Sequence, residues 1–188
     1  MPERQNRHSS TWWFFLLFPQ GPDGYGPRQL MFTIAARRGR EMRITDVCTR
    51  LDDTIAIAAL YRCMARMLYR LRRNNQRWRS YSTFLVNENR WLAQRFGTTR
   101  SLIDFGKGEA VPVADLVAEM VDLLREDAEY FGCVAEVEHA LTIAAEGTSA
   151  DRQMRSYDRA IALGASAQEA LKGVVDHLVE ETLAGCDM

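Results

Sequence analysis

The 188-residue sequence has little of what redox, metal or membrane chemistry would need. Its four cysteines, Cys48, Cys63, Cys133 and Cys186, form no CxxC pair, and no His/Cys cluster has zinc spacing. Reduced thiols in a cytoplasmic protein are the expectation. Of the three histidines, His139 and His177 fall in separate expected helices with no ligand-spaced partner. Each reads as a surface or half-buried structural residue, with a proton shuttle as the functional alternative. No Ser/His/Asp or Cys/His triad can be argued. The apolar run Trp12–Phe18, behind Arg4 and Arg7, is seven residues long. It is too short to span a bilayer, and no small-residue cleavage site follows it cleanly. Gly106-Lys107-Gly108 is too short for a phosphate loop and fits a turn. The formal net charge is −1, so no global field calls for nucleic acid or a membrane.

Acidic residues are absent from 54–87, a stretch that holds Arg62, Arg66, Arg70, Arg72, Arg73, Arg77 and Arg79. Arg62, Arg66 and Arg70 make a stripe at helical spacing. Such a stripe can bind phosphate backbones. It can equally be a solvated face paired with acids of the later helices, and the near-zero net charge favours that reading.

Hydrophobic residues make up 47% and charged residues 26%, which suits one domain with a real core or one half of a larger enzyme. Residues 1–40 differ from the rest. They hold four of the five prolines, a Gly/Pro-rich piece at Gln20–Pro27 and the arginines Arg37, Arg38 and Arg40. Apart from a short strand-like stretch at Leu30–Ala35 they show no clear period, and they read as an atypical, disordered or frame-shifted segment.

From residue 41 the pattern is regular. A strand at 41–47 leads to Thr49-Arg50-Leu51-Asp52, which reads as a capping box with Asp in place of Glu. A long helix to Arg73 follows, with Ile57, Leu60, Met64, Met67, Leu68 and Leu71 at helical spacing. Further helices are expected over 81–96, from Pro112 to Tyr130, over 134–146, from a Ser149 cap to Leu163, and from a Ser166 cap to Leu183. Gly97, Gly132, Gly147 and Gly164 stop four of them. Leu102–Phe105 reads as a short strand and Gly106–Glu109 as a turn.

Three segments carry candidate chemistry. In Glu41-Met42-Arg43 the carboxylate and the guanidinium share one strand face. The acid suits Mg²⁺ and the arginine suits a phosphate, though a surface cross-strand pair has the same pattern. In Glu88-Asn89-Arg90-Trp91, with Arg95, the residues Glu88, Trp91, Leu92 and Arg95 share a helix side. Trp91 there reads as a core anchor. In Gly147-Thr148-Ser149-Ala150-Asp151-Arg152-Gln153 a glycine and two hydroxyls precede a helix. They could hold an anion, or form only a helix stop followed by a new cap.

Taken in order, Glu41–Val47, Glu88–Gly97, Leu102–Phe105 and Gly147–Gln153 resemble the C-terminal part of the ATP-dependent carboxylate–amine ligases, the bacterial type-2 glutamate–cysteine ligase family. The resemblance covers about residues 41–185. It implies an α+β chain, the mostly helical C-terminal portion of a glutamine-synthetase-like fold with few antiparallel strands. It divides the chain into 1–40 and a catalytic-domain part at 41–188. The implied reaction passes a phosphoryl group from ATP to a glutamate-like carboxylate, and an amine then attacks the acyl phosphate. ATP and Mg²⁺ are the implied cofactors. By resemblance Glu41 is a metal ligand and Arg43 contacts the transferred phosphate. Glu88, Asn89, Arg95, Arg152 and Gln153 contact substrate or support the site. The acceptor amine is left open.

The family's N-terminal half, with further metal-binding acids, does not match here. Trp12-Trp13 matches the start of a tryptophan-rich strand, but Phe14–Arg40 does not continue it and no Arg-Pro occurs. The expectation is a truncated or frame-shifted ligase, inactive alone. The alternative is a non-catalytic helical interaction module, in a homo-oligomer or paired with a separate N-terminal half. No nucleic-acid or membrane partner is expected.

Overall fold

A computed structural model of the chain describes residues 48–76 and 81–184, the side chain of Thr83 excepted. Six helices and one hairpin follow in order: α1 Leu51–Arg73, α2 Thr83–Phe96, β1 Leu102–Asp104, β2 Glu109–Val111, α3 Val113–Phe131, α4 Val134–Glu146, α5 Ser149–Ala162 and α6 Ala167–Leu183. The described part is therefore mostly helical, with one small antiparallel sheet. The expected strand at 41–47 lies outside the described residues.

The core forms where the apolar stripe of α1 meets α3 and α4. Leu60, Cys63, Met64 and Met67 of α1 pack with Leu116, Val117, Met120 and Leu124 of α3 and with Val137 and Ala140 of α4. Leu102 and Val111 of the hairpin close one end. Each such leucine removed from water contributes roughly 2 kcal/mol. The α5 and α6 helices pack on each other as a second pair.

Helix ends follow the local chemistry. Gly132 adopts a left-handed conformation after α3 (φ +66°), and the next N–H, that of Cys133, reaches the Ala128 carbonyl at 3.0 Å. Ser166 caps α6: Glu169 accepts from the Ser166 N–H at 2.8 Å, and the Ser166 hydroxyl accepts from the Glu169 N–H at 3.3 Å. Two expected starts shift by one residue. Pro112 is the N-cap of α3 rather than its first residue, because its extended ψ of 142° lies outside the helix. Thr148, not Ser149, caps α5, since the Asp151 carboxylate folds back onto the Thr148 N–H and hydroxyl at 2.7 and 2.8 Å. The expected capping box at Thr49–Asp52 does not form. Arg50 is the N-cap and makes no side-chain cap bond, while Thr49 donates to Glu181 instead.

The hairpin corrects a second expectation. Glu109, expected in the turn, opens β2 and pairs with Asp104. Asp104 builds the turn, its Oδ1 accepting from the Gly106 and Lys107 N–H groups at 2.7 and 3.1 Å. Phe105 lies beyond β1 and meets Tyr81 edge-on at 5.6 Å.

Candidate functional site

Glu41 and Arg43, the carboxylate and guanidinium of the first motif, lie outside the described residues. The other expected site residues are described, and they take three different positions.

Asn89 is 1% exposed. Its side-chain amide donates to the Ile103 carbonyl and accepts from the Ile103 N–H, both at 2.8 Å. The amide thus occupies the β1 edge as a neighbouring strand would, which makes Asn89 a structural clamp in this chain. Glu88 is half-buried and Arg95 is exposed on the same helix. Trp91, expected as a core anchor, is 54% exposed and leans edge-on to Phe96 at 5.9 Å. The inward positions of α2 go to Val86 and Asn89, so the tryptophan side faces out. Burial holds the neighbouring Arg90 guanidinium below the usual arginine range.

The second and last motifs meet. Gly97, which ends α2, has φ +56°, and a Cβ there would stand 3.3 Å from the Asp151 carboxylate. Gly147, which precedes α5, has φ +90°, and a Cβ there would stand 2.9 Å from the Asp151 Cβ. Two glycines of different motifs therefore flank one carboxylate. An alanine at either position would strain the backbone, and at Gly147 it would also crowd the Asp151 Cβ.

Beside this junction Arg152 is buried, 6% exposed. Its Nε donates to Glu181 at 2.5 Å, one terminal nitrogen to the Gly147 carbonyl at 3.2 Å, and the other to Asp53 at 3.0 Å. His139 Nε2 lies 2.9 Å from the other Asp53 oxygen. Glu181 also accepts from the Thr49 hydroxyl at 2.6 Å and from Arg50 Nε at 3.0 Å. The network continues from Thr49 to the Ser149 hydroxyl at 3.0 Å, and Gln153 donates to that hydroxyl at 3.1 Å. Burial pushes the Glu181 carboxyl up. Hydrogen bonds from Thr49 and Arg152, with the charges of Arg152 and Arg50, outweigh burial and hold it below the ordinary glutamate range. Arg152 and Gln153 are thus brought into one network that fixes the start of α1 against α4, α5 and α6.

Asp53, His139 and Glu181 were not singled out as site residues from the sequence. Asp53 was detectable in principle, because it precedes Ile57 by four residues on the buried stripe of α1. Glu181 likewise stands on the inward side of α6, three and seven residues after Leu178 and Val174.

The arginine stripe pairs with acids. Arg66 and Arg70 both bind Asp127, Arg70 at 2.9 Å, and Arg70 reaches Glu126 at 2.8 Å. Arg62 lies over the Phe131 ring at 3.9 Å and Arg66 over Tyr130 at 3.8 Å, along a shallow groove of about 650 Å³. The expected pairing with acids of a later helix is present for Arg66 and Arg70, while Arg62 meets an aromatic ring instead.

No group of three or more His, Cys, Asp or Glu side chains among the described residues is placed to hold a metal ion. The Mg²⁺ implied by resemblance therefore finds no donor set there. No helix among the described residues is long and apolar enough to cross a membrane.

Comparison with known proteins places the chain in a family. The family model described as glutamate-cysteine ligase family 2 (GCS2) matches residues 25–181, and so takes in part of the compositionally distinct segment. Three similar relatives carry the name "Putative glutamate--cysteine ligase 2". The protein from Rhodospirillum rubrum is 58% identical over 144 residues, 77% of this chain and 37% of its own length. The one from a Jannaschia species is 51% identical over 75% of this chain and 37% of its own. The one from Sorangium cellulosum is 45% identical over 77% and 36%. The chain thus spans little more than a third of these relatives. No solved structure matches. On the family match and these identities, the chain belongs to glutamate-cysteine ligase family 2.

Proposed function

We propose that this chain is the helical portion of an ATP-dependent carboxylate–amine ligase of the glutamate–cysteine type. In the proposed reaction ATP phosphorylates a glutamate-like carboxylate, an amine displaces the phosphate, and amide, ADP and phosphate leave. The observation that carries the reading, together with family membership, is the junction at Asp151, where Gly97 and Gly147 bring two family-like motifs side by side. The Arg152 network is proposed as the anchor that holds Thr49 and Arg50, at the start of α1, against α5 and α6. Arg43 would neutralise charge on the transferred phosphate. ATP, Mg²⁺ with Glu41 as a ligand, and a cytoplasmic setting belong to the same proposal. The same proposal holds that the isolated chain is inactive.

The test combines the purified chain with a polypeptide covering the family's remaining length, taken from the Rhodospirillum rubrum relative. ADP release and amide formation are followed with glutamate and a panel of amines. The expected result is no turnover alone and turnover in the mixture, lost with Arg43→Ala. A folded, associated mixture that forms no amide with any amine would overturn the ligase reading. Turnover by the isolated chain, abolished by Glu41→Gln, would overturn its inactivity.

A second reading, a non-catalytic interaction module, draws on α6. Leu171, Val175, Val179 and Leu183 form a stripe at four-residue spacing, each more than half exposed. Light scattering that shows a dimer, lost with Val175→Lys, would favour this reading; a clean monomer would count against it.

A further inference from the structure

We propose that Cys63 and Cys133 form a dithiol modification site that closes to an intramolecular disulfide when a low-molecular-weight disulfide such as oxidised glutathione is the oxidant. Their Sγ atoms lie 3.7 Å apart, although 70 residues separate them in the chain. Both are free thiols. A bond of about 2.0 Å needs the sulfurs to approach by roughly 1.7 Å. Cys133 has the freedom for this, since it is the N-cap of α4 and follows the left-handed Gly132. No preceding helical turn restricts its χ1.

The two sulfurs differ in access, and this sets the order of events. Cys63 is fully buried on α1, whereas Cys133 is only partly buried at the turn between α3 and α4. Burial pushes the Cys63 thiol up to about 12, reinforced by the Cys133 sulfur and the Asp127 charge and opposed by Arg62. Cys133 is therefore the group that meets the oxidant. Its thiolate attacks one sulfur of the small disulfide, forming a mixed disulfide and releasing one small thiol. The Cys63 thiolate then attacks the Cys133 sulfur and expels the second small thiol. The two protein thiol protons end on the two departing thiols. Two protein thiols are oxidised and one small disulfide is reduced, so electrons balance. The bond would tie α1 to the α3–α4 turn at the wall of the aromatic–arginine groove, beside Arg62 and Phe131. The inference stands on this contact and does not depend on the ligase reading.

The experiment equilibrates the full chain with oxidised and reduced glutathione over a range of ratios, natively and in urea. Acid quench, alkylation of free thiols and peptide mass mapping follow. The variant Cys48→Ser/Cys186→Ser repeats the series with only the proposed pair present. The expected result is a Cys63–Cys133 crosslink, half formed in the native chain at an oxidised-to-reduced ratio at least tenfold lower than in urea. Oxidation should also raise Tm by several degrees, and Cys133→Ser should show neither effect. Equal ratios in native and unfolded chains, a stable mixed disulfide at Cys133 without closure, or crosslinks through other cysteines would each overturn the proposal. The mapping on the unaltered chain decides the matter even if Cys133→Ser does not fold.

Discussion

At the scale of single residues, burial gives polar groups their importance in this chain. Arg152 is enclosed with the carboxylates of Asp53 and Glu181 and the Gly147 carbonyl. Arg152→Met should destabilise the fold by about 1–3 kcal/mol in urea titration, because Asp53 keeps only His139 and Glu181 keeps only Thr49 and Arg50 as close partners. Arg152→Lys should recover only part of this, since a single ammonium cannot span both acids as the guanidinium fork does. Asn89→Ala should cost about 1–3 kcal/mol, the loss falling on the Ile103 N–H and carbonyl. The pH response follows from Glu181. Its carboxyl is held low in the folded state, so its contribution is present above the unfolded glutamate range and is lost as pH falls through the folded value. The urea midpoint should therefore drop as pH is taken below about 4.3, and less steeply in Glu181→Gln.

At the scale of elements, glycines separate backbone strain from crowding. Gly132 and Gly147 both have positive φ, but a Cβ at Gly132 meets nothing within 4 Å while one at Gly147 meets Asp151 at 2.9 Å. Gly132→Ala should cost about 1 kcal/mol by thermal or urea unfolding. Gly147→Ala should cost at least about 2 kcal/mol, because the start of α5 must also shift. The stop signals at Gly97, Gly132, Gly147 and Gly164 were legible because each is a local demand on φ, and the structure gives all four positive values. The long helices were legible from their apolar spacing. The second strand was not, since Glu109-Ala110-Val111 has no alternation and is recruited by the Asp104 turn. The Thr49 cap was misread for a related reason. Its hydroxyl is taken by a carboxylate 132 residues away, which no local pattern contains. The exposure of Trp91 likewise depends on Asn89 facing the hairpin, a tertiary contact. Of the candidate site, Arg152 and Gln153 could be picked out as a motif, but the acids that hold Arg152 come from α1 and α6.

At the scale of the whole molecule, two arginines of the stripe, Arg66 and Arg70, are paired with acids of α3. Asp127 is fully buried beneath Arg66 and Arg70. A polyanion would have to break those pairs to gain the arginines. Salt-gradient chromatography on immobilised duplex DNA should therefore elute the chain at low ionic strength, well before a protein with several free phosphate contacts.

The Arg152 network also sets an order on synthesis. A ribosome delivers Asp53, then His139, then Arg152, and only afterwards Glu181. The nascent chain can assemble the α1–α3–α4 core while Arg152 still has a single acid within reach. The hub that fastens the start of α1 to the last turn of α6 is therefore the last part to lock, and a stalled or prematurely released chain ending before α6 would carry an incompletely paired cation. Such a product would be a natural target for proteolytic clearance.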